Sequence, residues 1–449
     1  MSVDTVSLSG WGRTAPTTAL RFRPRTYEDA AAAVRGRGPR GVVARGLGRA
    51  HGDAAQNAGG SVIDMTALDR IRAFDARAGT VVCDAGVSLH RLMETLLPLG
   101  WFVPVTPATR HVTVGGAIGS DVHGRNHRTA GSFTRHVRSL ELLTADGEVR
   151  TVPPGTDLFA ATAGGMGLTG VVLSATLGLR PVTSALMSVD TARAADLDEA
   201  LARLTACGDR TPYAAAWIDL LARGRATGRA VVTRGEHAPL DALPARARRT
   251  ALAFRPGRLP TVSALIPGGL AGPVQAAVLN EIRYRSAPVS RTGELQRVST
   301  FFHPLDAAPR WSRLPGRGGS VHYQFTVGHG HEGTLHRIVR QLTVRRCPAV
   351  HAVLKRFGEG GPGWLSFPAP GWTLSFVLPA GLPGLARLLD RLDEEVAAAG
   401  GRVCLAKDAR LRPGLLAAMY PRLPEFRALR EELDPAGAFR SDLSRRLAL

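Results

Sequence analysis

Lysine is nearly missing from this chain. Of 57 lysine and arginine residues only Lys355 and Lys407 are lysine. Where arginine has taken almost every basic position, a surviving lysine marks a place needing a compact, titratable ammonium that a planar guanidinium cannot replace. Cysteine is scarce as well. Cys83, Cys207, Cys347 and Cys404 are scattered with no CxxC pair, which excludes a zinc ribbon or a disulfide framework and fits a reducing, cytoplasmic compartment. No apolar run approaches the roughly 18 residues of a membrane span. The start, MSVDTVSLSGWGRTAP, lacks the charged-then-apolar pattern of a signal peptide.

Positive charge is plentiful: the formal net charge is +20. The basic residues are spread along the chain without a basic tail or an aromatic-interleaved stripe, so nucleic acid is not the expected partner. A phosphorylated substrate or a peripheral contact with a membrane surface remains compatible with the charge. At 449 residues the chain exceeds one ordinary core, and two domains are expected.

Glycine marks the organising stretch, PATRHVTVGGAIGSDVHGRNH, from Pro107 to His127. Gly115, Gly116, Gly119 and Gly124 let the backbone approach a large ligand and offer it a row of N–H donors. Upstream, the strand GVVA (41–44) runs into a second loop containing Gly46, Gly48 and Gly52. His51 stands where a GxGxxG pattern needs its third glycine, and the strand SVID (61–64) follows instead of a helix, so a Rossmann unit is not expected. Such a turn between strands still forms a nest of N–H groups for a pyrophosphate, with Arg45 or Arg49 adding charge. Strands are further expected at 80–84 and 171–179, a helix at 88–98 and a hairpin around Asp146-Gly147. A third glycine loop occupies 164–170.

The motifs SGWGRTAP (9–16), ARGLGRAHGDAAQNAGG (44–60), VTVGGAIGSDVHGRNHRTAGSF (112–133) and GGMGLTG (164–170) resemble the decaprenylphosphoryl-β-D-ribose 2′-oxidase family. So do FFHPLD (301–306), YQF (323–325), SFPAPGW (366–372) and AKDAR (406–410). The resemblance implies an α+β, two-domain flavoprotein of the vanillyl-alcohol oxidase / para-cresol methylhydroxylase type. Its FAD-binding domain would span 1–184, its substrate or cap domain 185–401, and a segment 402–449 would return to the first domain. Between 181 and 402 the composition shifts to Arg, Ala, Gly and Pro with helix-like stretches at 194–205 and 334–343. Residues 257–273 and 315–319 read as loops suited to lids.

Residue by residue, the resemblance places the FAD pyrophosphate on Ala44, Arg45, Gly46, Leu47, Gly48, Arg49, Ala50, His51, Gly52, Asp53 and Ala54. Further cofactor contacts fall at Ala108, Thr113, Val114, Gly115, Gly116, Ser120, Asp121, Val122, His123, Val172 and Cys404. Covalent members attach flavin through a histidine; Arg49 stands there, so non-covalent FAD is expected. Lys407 is the first catalytic candidate, either as base or as a charge stabilising the reduced ring. His123 is the second, orienting substrate or moving a proton, with a structural histidine as the alternative. Lys355, Gln324, His322, Trp217, Phe302, Thr373 and Ser375 match substrate-pocket positions, although a core tryptophan would also explain Trp217. Several depart from the family: His51 and Phe302 replace tyrosines, His322 a glutamine, Thr373 an asparagine, Cys404 a tyrosine and Ser375 a cysteine.

The implied activity is oxidation of a secondary sugar hydroxyl, most directly the 2′-OH of a polyprenylphosphoryl ribose, as the first half of an epimerisation to arabinose. A separate NAD(P)H-dependent short-chain reductase would complete it. An aldonolactone or alditol oxidase is the competing enzyme reading, and a flavin-free sugar-phosphate-binding protein is the competing non-enzyme reading. No metal is expected.

Overall fold

Short β-branched runs build the N-terminal part of this computed structural model, which describes residues 1–207, 211–257, 272–307, 318–349 and 351–449. Val42–Arg45 and Thr17–Arg23 flank Ser61–Asp64 in parallel, and Ser2–Leu8 closes this four-stranded sheet as an antiparallel edge. The loop 46–60 is therefore the connection between two neighbouring parallel strands. A second, five-stranded antiparallel sheet runs in the order Ile71–Asp75, Thr80–Asp84, Val171–Gly178, Val137–Leu143, Val149–Val152. Its last two strands are the hairpin expected around Asp146-Gly147, and Gly147 takes the φ of +87° that the turn requires.

The amphipathic helix of the 88–98 stretch is observed at Leu89–Leu96, capped by the Ser88 hydroxyl, which accepts the Arg91 N–H at 3.1 Å. It buries Leu89, Leu92, Met93 and Leu96 under the five-stranded sheet. The glycine stretch itself is not all loop: Thr113 caps a short helix, Val114–Gly119, by accepting the Gly116 N–H.

From residue 186 onward the chain holds more strand than the two helix-like stretches suggested. Helices Leu197–Thr205 and Glu332–Val344 are present, but the dominant element is one eight-stranded antiparallel sheet. Its order is Ser290–Arg297, Leu186–Ala194, Ala230–His237, Tyr213–Ile218, Ala352–Phe357, Gly371–Pro379, Ser320–Val327, Arg402–Val403. The central strands are buried on both faces; all nine residues of Gly371–Pro379 are inaccessible. A strand buried on both sides shows no polar–apolar alternation, and this removes the usual sequence signal. Tyr323, Phe325, Leu374 and Phe376 share one core with leucines of Glu332–Val344 and Leu385–Ala398. His322, Gln324, Thr373 and Ser375 alternate with them along the same two strands and so point to the other face.

Arg402–Val403 still belongs to this sheet, paired with Phe325 and Thr326, so the chain leaves it one short strand later than the change at 402 suggested. The C-terminal segment then packs against the N-terminal sheet. Val42 and Phe439 form a parallel bridge, and Arg446 joins Asp53 and Asp408, each at 2.9 Å. The proposed lid loops at 257–273 and 315–319 fall mostly on 258–271 and 308–317, outside the described residues. Among the described residues no helix is long and apolar enough to cross a membrane.

Candidate active site

A long cleft with about 1610 Å³ of empty space, part of it open to solvent, lies between the two glycine segments. Both line it. Ala44, Arg45, Gly46, Gly48, Arg49, Ala50 and His51 form one wall; Ala108, Thr113, Gly115, Gly116, Ser120 and Val122 form the other, with Val172 below. The segments come closest where a Cβ on Gly46 would lie 2.1 Å from Thr113 Oγ1. Glycine at 46 lets the walls meet there and leave the slot open beside it.

The first loop supplies one set of donors. Among the described residues the backbone N–H groups of Gly46, Gly48, Arg49 and Ala50 meet no acceptor, although all four residues line the cleft. By contrast Val114, Gly115 and Gly116 spend their N–H groups on Val87 O, Ala85 O and Thr113 Oγ1. Ala108, Thr109, Val112 and Thr113, also in the cleft wall, have N–H groups with no acceptor among the described residues, so the expected donor row lies ahead of the glycines of the organising stretch, and the upstream turn adds a nest of its own. Arg45 is committed to the carbonyls of Ala55 and Ser9, each at 2.8 Å. Arg49 stacks 3.7 Å from the Trp11 ring centre and donates to His111 O. These unclaimed N–H groups and bare glycine surfaces fit a pyrophosphate-bearing cofactor.

The far end of the cleft is polar and titratable. His51 N–H donates to Ala406 O at 2.9 Å, and a Cβ on Gly52 would lie only 1.7 Å from Asp408 O. The first loop thereby grips the turn after Val403 and aims Lys407 into the cleft. Lys407 is half-buried, and burial pushes its pKa down to about 8. Its Nζ lies 3.3 Å from His322 Nε2, whose Nδ1 lies 3.1 Å from His51 Nε2. Asp408 turns away, accepting from Arg410 N and Leu411 N.

Strand register gathers the remaining candidates. Gln324 faces Ser375, Ser375 faces Val353, and Val353 faces Trp217; two residues along, Lys355 faces Thr373. Lys355 Nζ lies 2.9 Å from His123 Nδ1. The Gln324 side-chain amide lies 3.1 Å from His123 Nε2 and 2.9 Å from Thr373 Oγ1. Burial and the neighbouring ammonium of Lys407 hold the Lys355 pKa well below its ordinary value. Burial also lowers Arg125 and Arg283 to about 10 and His351 to about 3. Among the described residues no carboxylate bears on either lysine.

Of these groups His51, His322, His351 and Lys407 line the cleft, whereas Lys355, His123, Gln324, Thr373, Ser375 and Trp217 do not, and the remaining candidates lie outside its wall as well. Leu47 is exposed at the loop tip, and Asp53 pairs with Arg446 behind the loop. Val114 is core, while buried Asp121 accepts from Thr134 and Ser366. Both shape the second wall from within. Cys404 packs with Phe357 and Phe367, and burial raises its thiol pKa. Phe302 is corrected from a pocket position to a core one: it stacks on Phe102 and meets Tyr213 edge-on. Sequence reasoning missed Trp11, Met166, Gly167, Asp306 and His351, all in the wall. Asp306 accepts from Thr109 Oγ1 at 2.7 Å and Arg110 N at 2.9 Å, tying FFHPLD to the organising stretch. The shared motif was the available signal for Asp306; nothing in sequence distinguished His351.

With this geometry in place, comparison with known proteins is decisive. Residues 18–153 match the FAD binding domain family. The chain is 42% identical, over 99% of its length and 98% of the relative's, to decaprenylphosphoryl-beta-D-ribose oxidase of Mycolicibacterium smegmatis. It belongs to the decaprenylphosphoryl-β-D-ribose oxidase family. The chain is accordingly an FAD-dependent oxidoreductase with a mixed helix–strand fold. It is also 53% identical, over 81% of its length and all of the relative, to an uncharacterized protein in the mprA 5′ region of Streptomyces coelicolor. Identity to an alditol oxidase of a Streptomyces species is 25%, over 98% of this chain.

Within this oxidase the position of Lys355 gives a direct expectation. Lys355→Ala should retain FAD and raise KM at least tenfold, because a charge-assisted contact contributes about 1.5–3 kcal/mol. Steady-state kinetics check this, and an unaltered KM removes Lys355 from the substrate pocket.

Proposed function

We propose that this oxidase converts the 2′-hydroxyl of a polyprenylphosphoryl ribose, or a close ribosyl phosphate, to the ketone. The observation that supports the reading is the cation set at the polar end of the cleft. Lys407 lines it, Lys355 and Arg125 lie close by outside its wall, and none of the carboxylates among the described residues bears on either lysine. A half-buried cation set with no carboxylate among the described residues bearing on its lysines favours an occupant that brings negative charge, which beside Lys355 would draw that lysine back toward its charged form. A neutral alditol brings none.

Bound FAD supplies the acceptor for the hydride leaving the carbinol carbon. The protein residues do the rest. In its neutral form Lys407 takes the hydroxyl proton at Nζ, and a pKa of about 8 places that amine near working pH. His123, held between Lys355 and Gln324, orients the sugar beside it. The nest at Gly46–Ala50 holds the cofactor pyrophosphate. The cofactor is non-covalent, since the Arg49 guanidinium at the attachment position is stacked on Trp11 and is no nucleophile.

Residues 1–184 and 402–449 form the cofactor half, and 185–401 the substrate half, in this reading. A 2′-keto product requires a hydride-donating reductase, for which an NAD(P)H-dependent short-chain enzyme is the fitting class. A net charge of +20 supports peripheral contact with an anionic membrane, where a lipid-linked substrate resides.

Anaerobic mixing of the FAD-loaded protein with a substrate panel tests the reading. A polyprenylphosphoryl ribose should bleach the flavin absorbance, while free ribose, aldonolactones and alditols should not. Bleaching by xylitol or sorbitol alone would replace it with the alditol oxidase reading.

A further inference from the structure

Two histidines stand in line behind Lys407, and both occupy positions where this sequence departs from its family. His322 Nε2 lies 3.3 Å from Lys407 Nζ, and His322 Nδ1 lies 3.1 Å from His51 Nε2. The rings meet nearly at right angles, 86°, with centres 4.3 Å apart. Burial and the lysine's charge push both pKa values far down, His51 to about 3, so both imidazoles are neutral.

A neutral imidazole has one N–H and one acceptor nitrogen. Only two consistent settings of the line exist. An ammonium has donors and no acceptor, so opposite a charged Lys407 the Nε2 of His322 must accept. The proton of His322 then sits on Nδ1 and donates to His51 Nε2, leaving the proton of His51 on its own Nδ1. In the reverse setting His322 turns an N–H toward Lys407, which only a neutral amine can accept.

We propose that His51 and His322 are positioning residues for Lys407: His51 locks the tautomer of His322, and His322 presents a fixed acceptor to the lysine ammonium. The inference rests on Lys407 being the base. When the substrate O–H bond breaks, its proton joins the Nζ lone pair. The electron pair left on oxygen becomes the second C–O bond as the hydride departs. Among the described residues the new ammonium has no carboxylate to meet it, and His322 Nε2 is the acceptor that stabilises it in place of a counter-ion. A neutral acceptor suits this position, since a fixed anion would raise the lysine pKa and cost the enzyme its base.

Every element around the line contributes a group of the same sign or a neutral one. The first loop brings Arg49 and His51, the strand Ser320–Val327 brings His322, and the strand Ala352–Phe357 with the residue before it brings Lys355 and His351. The turn before Lys407 brings the raised thiol of Cys404. Among the described residues His51 Nδ1 has no partner, so in this setting the line ends on its unpaired N–H.

The test needs no substrate. In the FAD-loaded protein with ¹⁵N-labelled histidine, long-range proton–nitrogen spectra report the tautomer of each ring, with His51→Phe and His322→Gln giving the assignments. Below pH 8 both rings should be Nδ1–H tautomers. The His322 signals should then move as Lys407 titrates, and this movement should vanish in Lys407→Met. An Nε2–H ring or an imidazolium at pH 7, or no response to Lys407, overturns the proposal. Because no substrate is present, a failed substrate reading leaves this result standing. The pH profile of flavin reduction gives the second measure. His322→Leu should lower its apparent pKa by about one unit, whereas His322→Gln, whose amide oxygen accepts, should restore it. An unchanged profile in His322→Leu also overturns it.

Discussion

Replacing Lys407 with alanine should leave FAD bound and slow flavin reduction by about 10²–10⁴-fold, the usual contribution of a positioned general base. Lys407 reaches the cleft from a turn whose backbone, not its side chain, is held by the first loop through the His51 N–H to Ala406 O contact. Truncation therefore removes the amine without loosening the cofactor wall. The wild-type pH profile should carry the same signature. A base must be unprotonated to act, so reduction should rise with pH and level off above about 8, the value to which burial lowers Lys407. At pH 7 about a tenth of the enzyme would hold the free amine. Stopped-flow reduction under anaerobic conditions measures both. Unchanged kinetics in the alanine variant, or a rate that falls as pH rises from 6 to 8, would remove Lys407 from the chemistry.

Gly52→Ala should damage both stability and FAD retention, even though Gly52 does not line the cleft. Its missing Cβ would sit 1.7 Å from Asp408 O and 2.5 Å from the carbonyl carbon behind it. Both are backbone atoms, so no rotamer change relieves the clash. The loop or the turn must move, and the His51–Ala406 contact moves with it. Overpacking of this kind costs about 1–3 kcal/mol, and the melting temperature should fall by several degrees. Displaced N–H groups at Gly46–Ala50 should bind FAD less tightly. Calorimetry and the flavin-to-protein absorbance ratio report these effects; wild-type values for both would show that the close approach does not matter.

The sequence was informative where local chemistry constrains local form. Gly147 needs positive φ and sits in its turn; Ser88 caps the helix expected to follow it; Val42–Arg45 and Ser61–Asp64 are strands joined by a glycine loop. It was uninformative where burial is two-sided. Ser320–Val327 and Gly371–Pro379 show no alternation of exposure, so the sheet that seats His322, Gln324, Thr373, Ser375 and, on its next strand, Lys355 could not be seen in advance. Phe302 shows the opposite error: a position matched by motif, yet placed by packing among Phe102, Tyr213 and Phe301.

By itself the sequence determined which side chains were available. Two lysines in an arginine-rich chain singled out the basic groups whose charge can be turned off near neutral pH, because a buried ammonium titrates there and a guanidinium does not. Tertiary structure alone decided which groups they meet. Lys407 faces His322 from a turn held by Gly52, and Lys355 faces His123 across a strand, pairings separated by 85 and 232 residues. The reason is physical: composition fixes proton affinity in water, whereas sheet register and backbone contact decide which neighbours and how little water surround each amine, and those set its affinity in the protein.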